Sequence, residues 1–192
     1  MKSRASSIPA IHDSSDMKLD FQAMNRSYAT EIASWRYEEP YDIYGYTEEE
    51  FEEAIEDLTN EENCFYAVLR DNELIGFRSF GRDGRVDGGK YEETHLDTGG
   101  GIRPDLTGKG LGPNVIMEGL RFGSRKFGTR RFRVTIADFN ERAKKACEKI
   151  GFRVADRFLR TSDKKPFTIF TIELKEREPI DSHNSGGCAS SV

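Results

Sequence analysis

The chain has little of what three large functional classes require. Its three cysteines, Cys64, Cys147 and Cys188, are widely separated, with neither the paired spacing of a zinc site nor the density of a disulfide framework. That pattern suits a reducing cytoplasm and gives no reason to expect a metal. No apolar run approaches the ~20 residues needed to cross a bilayer, and the opening MKSRASSIPAIHDSSD has no continuous apolar core of signal-peptide length. No membrane role is expected. A basic excess is missing too: 29 Lys and Arg stand against 34 Asp and Glu, a formal charge of −5, whereas a nucleic-acid binder presents a basic face.

What is present fits one soluble domain. A chain of 192 residues can bury a substantial core, and a mean hydropathy of −0.68 leaves room for polar tails. Residues 1–17 read as a disordered extension, with Met17 a possible alternative start, and 18–175 as the folded domain. Residues 176–192, charged and then rich in Ser and Gly, read as a disordered tail.

Glycine is concentrated in one stretch, residues 99–112, GGGIRPDLTGKGLG, which holds six of the 18 glycines. β character precedes it and helical spacing follows, so it lies at a strand-to-helix junction. Gly108, Gly110 and Gly112 alternate with Lys109 and Leu111, leaving backbone N–H groups free of Cβ interference. Pro113 suits a first helical turn, whose partial positive charge favours a phosphate. The loop therefore reads as a diphosphate cradle. It is not a Walker loop, which needs Gly at 103 and Ser or Thr at 110 where Arg103 and Gly110 stand, and Pro113 occupies the third glycine of the dinucleotide fingerprint.

Two motifs carry a family resemblance. Ile102-Arg103-Pro104 followed by Thr107-Gly108-Lys109-Gly110-Leu111-Gly112 resembles the acetyl-CoA loop of the GNAT acetyltransferase superfamily, a strand ending V-x-P and then Q/R-x-x-G-x-G/A, with Thr107 replacing the usual Gln or Arg. Asn140 to Phe152, NERAKKACEKIGF, resembles the family's second motif, N-x-R-A-x-x-x-Y-E-K-x-G-F, with Cys147 at the Tyr position. The order and separation of the two also match. The resemblance implies an α+β, three-layer fold: a mixed, mostly antiparallel twisted sheet of six to seven strands, flanked by about four helices and splayed at the strand before the Gly-rich loop. It further implies acetyl-CoA as cosubstrate, held by Gly100, Gly101, Ile102, residues Thr107 to Pro113 and Asn140.

Local signals fill in the order of elements. Residues 18–23 suggest a strand, 27–35 a helix capped by Ser27, and 36–46 an irregular loop with four tyrosines around Pro40, which the resemblance sets near the acceptor. Thr47 and Glu50 form a capping box before a helical stripe of Phe51, Ile55 and Leu58. CFYAVLR and LIGFRSF read as a hairpin turning at Asp71-Asn72-Glu73, and GRDGRVDGG as a polar loop. A strand is expected from Tyr91 to Leu96 and onward, with Glu93, His95 and Asp97 on one face and a bulge at Gly99 to Gly101. Then come a helix from Pro113 to about Phe127, a strand at 131–137, a helix capped by Asn140, and a terminal hairpin.

Charge is segregated along the chain. Residues 47–62 carry nine carboxylates and no basic residue, while Arg121, Arg125, Lys126, Arg130, Arg131 and Arg133 cluster in 121–133. These two groups read as an acidic side for an amine and a basic side for CoA phosphates, although most such side chains are simply solvated helix faces. The implied chemistry is attack of a neutral amine on a thioester, with Glu93, His95 and Asp97 as candidate bases. Cys147 stands where the family's acid stands, but a thiol is a poor donor, and with Ala143, Ala146 and Ile150 it completes an apolar helical stripe. Two readings follow: an N-acetyltransferase, or a catalytically silent acyl-CoA-binding module. The acceptor is left open among polyamines, aminoglycosides, small amino compounds and protein amines, as is the oligomeric state.

Overall fold

The computed structural model describes residues 18–175; both expected tails, Met17 and Cys188 lie outside the described residues. In chain order the elements are β1 (Asp20–Ala23), α1 (Arg26–Ala33), α2 (Phe51–Thr59), β2 (Phe65–Arg70), β3 (Glu73–Phe80), β4 (Leu96–Ile102), α3 (Gly112–Phe127), β5 (Arg131–Ala137), α4 (Glu141–Lys149), β6 (Arg153–Leu159) and β7 (Pro166–Glu173). The strands form one open sheet in the order β1-β2-β3-β4-β5-β7-β6. Only β4 and β5 run parallel; every other pair is antiparallel. This is the mixed, mostly antiparallel α+β sheet expected from the sequence.

Alternation along β2 separates two cores. Ala67 and Leu69 join Ala29, Ile32, Ile55 and Leu58 of α1 and α2, whereas Val68 joins Ile75 and Val115 under α3. Because neighbouring strand residues point to opposite faces, α1 and α2 cover one face and α3 the other. A third cluster continues that second face, where Leu120 of α3 and Cys147 of α4 meet Phe132 and Phe170.

Local signals set most boundaries. Thr47 and Glu50 bond reciprocally, Thr47 N–H to Glu50 Oε2 at 2.9 Å and Glu50 N–H to Thr47 Oγ1 at 3.3 Å, the expected capping box. The β2–β3 hairpin turns through Asp71 and Asn72, both with positive φ (54° and 64°), as a two-residue turn matching strand twist requires. The cap of α1 is Asn25 rather than Ser27, its Oδ1 accepting from Tyr28 N–H at 2.9 Å.

One strand departs from the expectation. β4 begins at Leu96, and residues 91–95 are irregular, because the side chains there serve the adjoining loop. Tyr91 Oη bonds the backbone N–H and carbonyl of Val86 and meets Thr135 Oγ1, while the Glu92 carbonyl accepts from Arg133. The expected bulge at Gly99 to Gly101 is also absent: β3 and β4 stay in continuous register from Phe80↔Thr98 to Gly76↔Ile102. Register shifts lie instead in the β2–β3 pair, between Val68 and Leu69, and in the β6–β7 pair, between Val154 and Asp156.

Candidate active site at the sheet splay

β4 and β5 pair only at Leu96↔Phe132 and Asp97↔Arg133. Beyond that rung β4 stays with β3 while β5 stays with β7 from Arg131 to Ala137, so the sheet opens in a V. The opening holds a cavity of about 670 Å³. Its lining includes Arg78, Thr98, Gly100, Val115 and Ile116 from the α3 side, and Tyr37, Phe77, Asp83 and Gly99 from the side of α1 and α2. The cavity therefore passes through the sheet.

The α3 end is built for an anion. After β4 a single turn, Pro104–Leu106, leads to Thr107, whose Oγ1 donates to the Pro104 carbonyl at 2.8 Å. Gly108 and Gly110 follow with φ of +73° and +81°, and a Cβ on either would meet nothing within 4 Å. The backbone takes a conformation L side chains resist, with open space outside it, as a cradle for a diphosphate needs. α3 starts at Gly112 with Pro113 in its first turn, aiming its positive end at the same space. Gly112 packs on α4, where a Cβ would lie 3.4 Å from Ala146 Cβ.

The expected cradle residues Gly100, Gly101, Ile102, Thr107, Gly108, Gly110, Gly112, Pro113 and Asn140 all line the cavity. Lys109 stands between the two left-handed glycines, and Leu111 packs in the core beneath the loop. Asn140 both caps α4, Oδ1 accepting from Ala143 N–H at 3.0 Å, and donates from Nδ2 to Tyr44 Oη at 3.2 Å. The basic residues at the cavity are not those of the 121–133 cluster but Arg78 on β3 and Arg142, Lys145 and Lys149 on α4. Arg125 and Lys126 occupy the last turn of α3, about 20 Å of helix from the loop, and Arg133 is spent on Asp97. The 142/145/149 spacing, one stripe of a helix, was the available signal.

At the other mouth an aromatic loop bridges the V. Tyr37 Oη donates to the Ile102 carbonyl at 3.0 Å on the β4 side. Further along, Tyr44 stacks on Phe139 with ring centroids 5.9 Å apart, and the Arg142 guanidinium lies 4.5 Å from the Tyr41 ring centroid, both on the β5–α4 side. Tyr37, Tyr41, Tyr44 and Tyr46 line this mouth with Asp83. Asp83 comes from the polar loop before β4 and reaches the strand itself: a Cβ on Gly99 would stand 3.4 Å from its Oδ2. Asp83 is exposed as a residue, but desolvation of its carboxyl by the surrounding loop and strand raises it above its ordinary value.

None of Glu93, His95 and Asp97 lines the cavity. Glu93 is largely exposed and pairs with Arg85. His95 takes a 2.9 Å contact from Thr94 Oγ1 to its Nδ1, and burial, then Arg133 and Arg131, lower its pKa. Asp97 is 1% exposed and fully engaged, by Arg133 through both oxygens and by Arg85 Nε at 2.7 Å. Cys147 does line the cavity; it is buried, and burial pushes its thiol up to about 12, against the opposing charge of Arg78. Among the described residues no cluster of His, Cys, Asp and Glu could hold a metal ion, and no helix is long and apolar enough to cross a membrane.

A splayed mixed sheet with a glycine cradle at the splay defines the class of acyl-CoA-dependent acetyltransferases. Residues 15–153 match the family model described as Acetyltransferase (GNAT) domain, and the chain belongs to that family of acetyltransferases. Solved structures share the fold. A GNAT-family acetyltransferase from Bacillus anthracis aligns over 82% of this chain and 97% of its own at a TM-score of 0.60 and 19% identity. The aminoglycoside acetyltransferase AAC(6')-Ib in complex with coenzyme A does so over 81% and 95%, at 0.65 and 14%. A chimera of spermidine N-acetyltransferase SpeG from Vibrio cholerae and hSSAT covers 81% and 95%, at 0.58 and 16%. No curated protein matches the chain.

Proposed function

We propose that this protein transfers an acetyl group from acetyl-CoA to a primary amine, by direct attack within a ternary complex. The observation that carries this reading is the cavity through the sheet, with an anion cradle at one mouth and an aromatic, acidic pocket at the other. Gly108 to Gly112 and the α3 N-terminus would hold the diphosphate, with Lys109, Lys145 and Lys149 supplying positive charge. The unpaired edge of β4 beyond Asp97 offers backbone donors and acceptors to the amides of the pantetheine arm.

At the opposite mouth, tyrosine faces and Asp83 suit a cationic amine, attracted through ring quadrupoles and a carboxylate. Asp83 is the base we assign in preference to Glu93, His95 and Asp97, because it alone of the four faces the opening. Its raised carboxyl brings it nearer the basicity an ammonium proton demands. Confinement of amine and thioester in one channel supplies much of the rate by proximity, up to about 7–11 kcal/mol for a well-oriented pair. The cysteine pattern favours a reducing cytoplasm as its setting.

The test is acetyl-CoA-dependent thiol release with amines of several kinds: spermidine, an aminoglycoside and a peptide with a free N-terminus. Release that needs both wild-type protein and amine supports the reading. CoA binding without release from any acceptor favours the silent binding module.

A further inference from the structure

Arg78 is a buried cation without an anion. It is 5% exposed in the middle of β3, no ion pair joins it among the described residues, and its Nε has no hydrogen-bond partner. One neutral hydroxyl tethers it: Nη2 donates to Thr98 Oγ1 at 2.6 Å, and Thr98 donates on to the Ser79 carbonyl at 2.8 Å. A buried, uncompensated charge costs several kcal/mol. The fold nevertheless makes room for it, since a Cβ on Gly119 would stand 3.0 Å from Arg78 Nε, and one on Gly100 would stand 3.0 Å from Nη1.

The location specifies what the charge meets. Arg78 lines the cavity beside Gly119, seven residues into α3 and so about 10 Å along the helix from the N-terminus that faces the diphosphate. On the proposed reading, the diphosphate end of CoA occupies the helix terminus and the sulfur end lies deeper in the channel. The titratable group that meets Arg78 is Cys147 on α4; its neighbours from β4 and α3, Thr98, Gly100 and Gly119, carry no charge. Cys147 holds the position of the family's acid, yet burial keeps its thiol from serving as one.

We propose that Arg78 stabilises the CoA thiolate as it leaves, by charge rather than by proton donation. The amine lone pair forms the C–N bond, the C–S bond breaks, and its electron pair departs on sulfur opposite the guanidinium. The amine proton goes to Asp83 and then to solvent, so the products are the amide, a thiolate and a proton. Burial without a carboxylate partner lowers the Arg78 pKa to about 10, which leaves it charged at neutral pH and in want of an anion.

This inference rests on the proposed function, but a binding measurement tests it apart from turnover. CoA and desulfo-CoA are titrated calorimetrically against the wild-type protein from about pH 6 to 10, across the ~8.5 of an unperturbed thiol. A thiol pKa lowered by Arg78 makes CoA bind more tightly as pH rises from the bound to the free value. The expected gain over desulfo-CoA is at least about tenfold, one pKa unit. Arg78→Met should abolish that gain and bind desulfo-CoA as the wild type does, while Arg78→Lys keeps part of it. If wild-type CoA and desulfo-CoA show the same pH dependence, the inference is wrong, whatever the variants do. If the dependence is flat while succinyl-CoA outbinds acetyl-CoA only when Arg78 is present, the charge serves an acyl carboxylate instead. A tightening with pH alongside no acetylation of any amine would sink the proposed function and with it the leaving-group role, leaving Arg78 only as a cation that binds the CoA thiolate.

Discussion

Asp97 and Arg133 face each other on the last rung at which β4 and β5 pair, and their side chains close a two-pronged ion pair there, Nε to Oδ1 and Nη2 to Oδ2. The pair is 1% and 5% exposed in its side chains. Arg85 adds a second guanidinium, and Tyr91 lies 4.8 Å beneath Arg133. The vertex of the V is thus a satisfied ionic knot, from which the two strands diverge.

Breaking that knot from one side leaves a charge buried and uncompensated. Asp97→Asn should lower stability by about 3–5 kcal/mol, read as a shift in the urea midpoint without a change in slope. Replacing both residues with apolar side chains of similar size should recover much of the loss. A cost near zero for Asp97→Asn would mean that the vertex is held by backbone pairing alone.

The cradle depends on backbone shape. Gly110→Val introduces a β-branched side chain at a φ of +81°, at a strain of order 1–3 kcal/mol, and fills the space a phosphate needs. CoA affinity should fall by at least about tenfold, while circular dichroism stays that of the parent. Unchanged affinity would remove the loop from the binding site.

Asp83 links activity and stability in opposite directions. Because partial desolvation of its carboxyl raises its folded-state pKa although the residue is exposed, it contributes a small stability below its unfolded value near 3.9, and that contribution is lost as pH rises through the higher folded value. Asp83→Asn should therefore be more stable than the parent at pH 7, the difference closing on acidification. It should also lower kcat roughly 10²-fold or more with little change in CoA affinity. In the parent, the acid limb of kcat/KM should lie above the ordinary carboxylate range. A variant that loses stability at pH 7 and keeps full turnover would exclude Asp83 as the base.

Cys147 separates packing from chemistry. Cys147→Ala should cost on the order of 1 kcal/mol through lost packing in the core cluster it shares with Phe80, Leu120 and Phe152, and leave turnover per folded molecule unchanged. A fall of roughly 10²-fold at constant CoA affinity would make it the acid after all.

Most of the frame was legible because its signals are local. The Thr47–Glu50 box, the Asp71-Asn72 turn, Asn140 as a cap and the 113–127 stripe each depend on residues a few positions apart, and the two motifs fixed the order of cradle and second helix. What escaped depends on distant partners. The alternation of 91–97 resembles a strand, but Arg85 and Arg133 draw Asp97 and Glu93 into an ionic network that keeps 91–95 irregular. Asp83 reads as one carboxylate in a polar loop until β4 folds against it. Arg78 carries no local signal within the LIGFRSF strand, and its burial depends on the close approach of Gly100 on β4 and Gly119 on α3.

The most direct test of the account is the fate of the acetyl group. Wild-type protein, acetyl-CoA and each of a panel of primary amines are followed by thiol release and by the mass of the acceptor. The account predicts that at least one amine gains one acetyl group for each thiol released, and that neither signal appears without the amine. Acetyl-CoA bound at the cradle, with no acetyl group transferred to any amine, would contradict it.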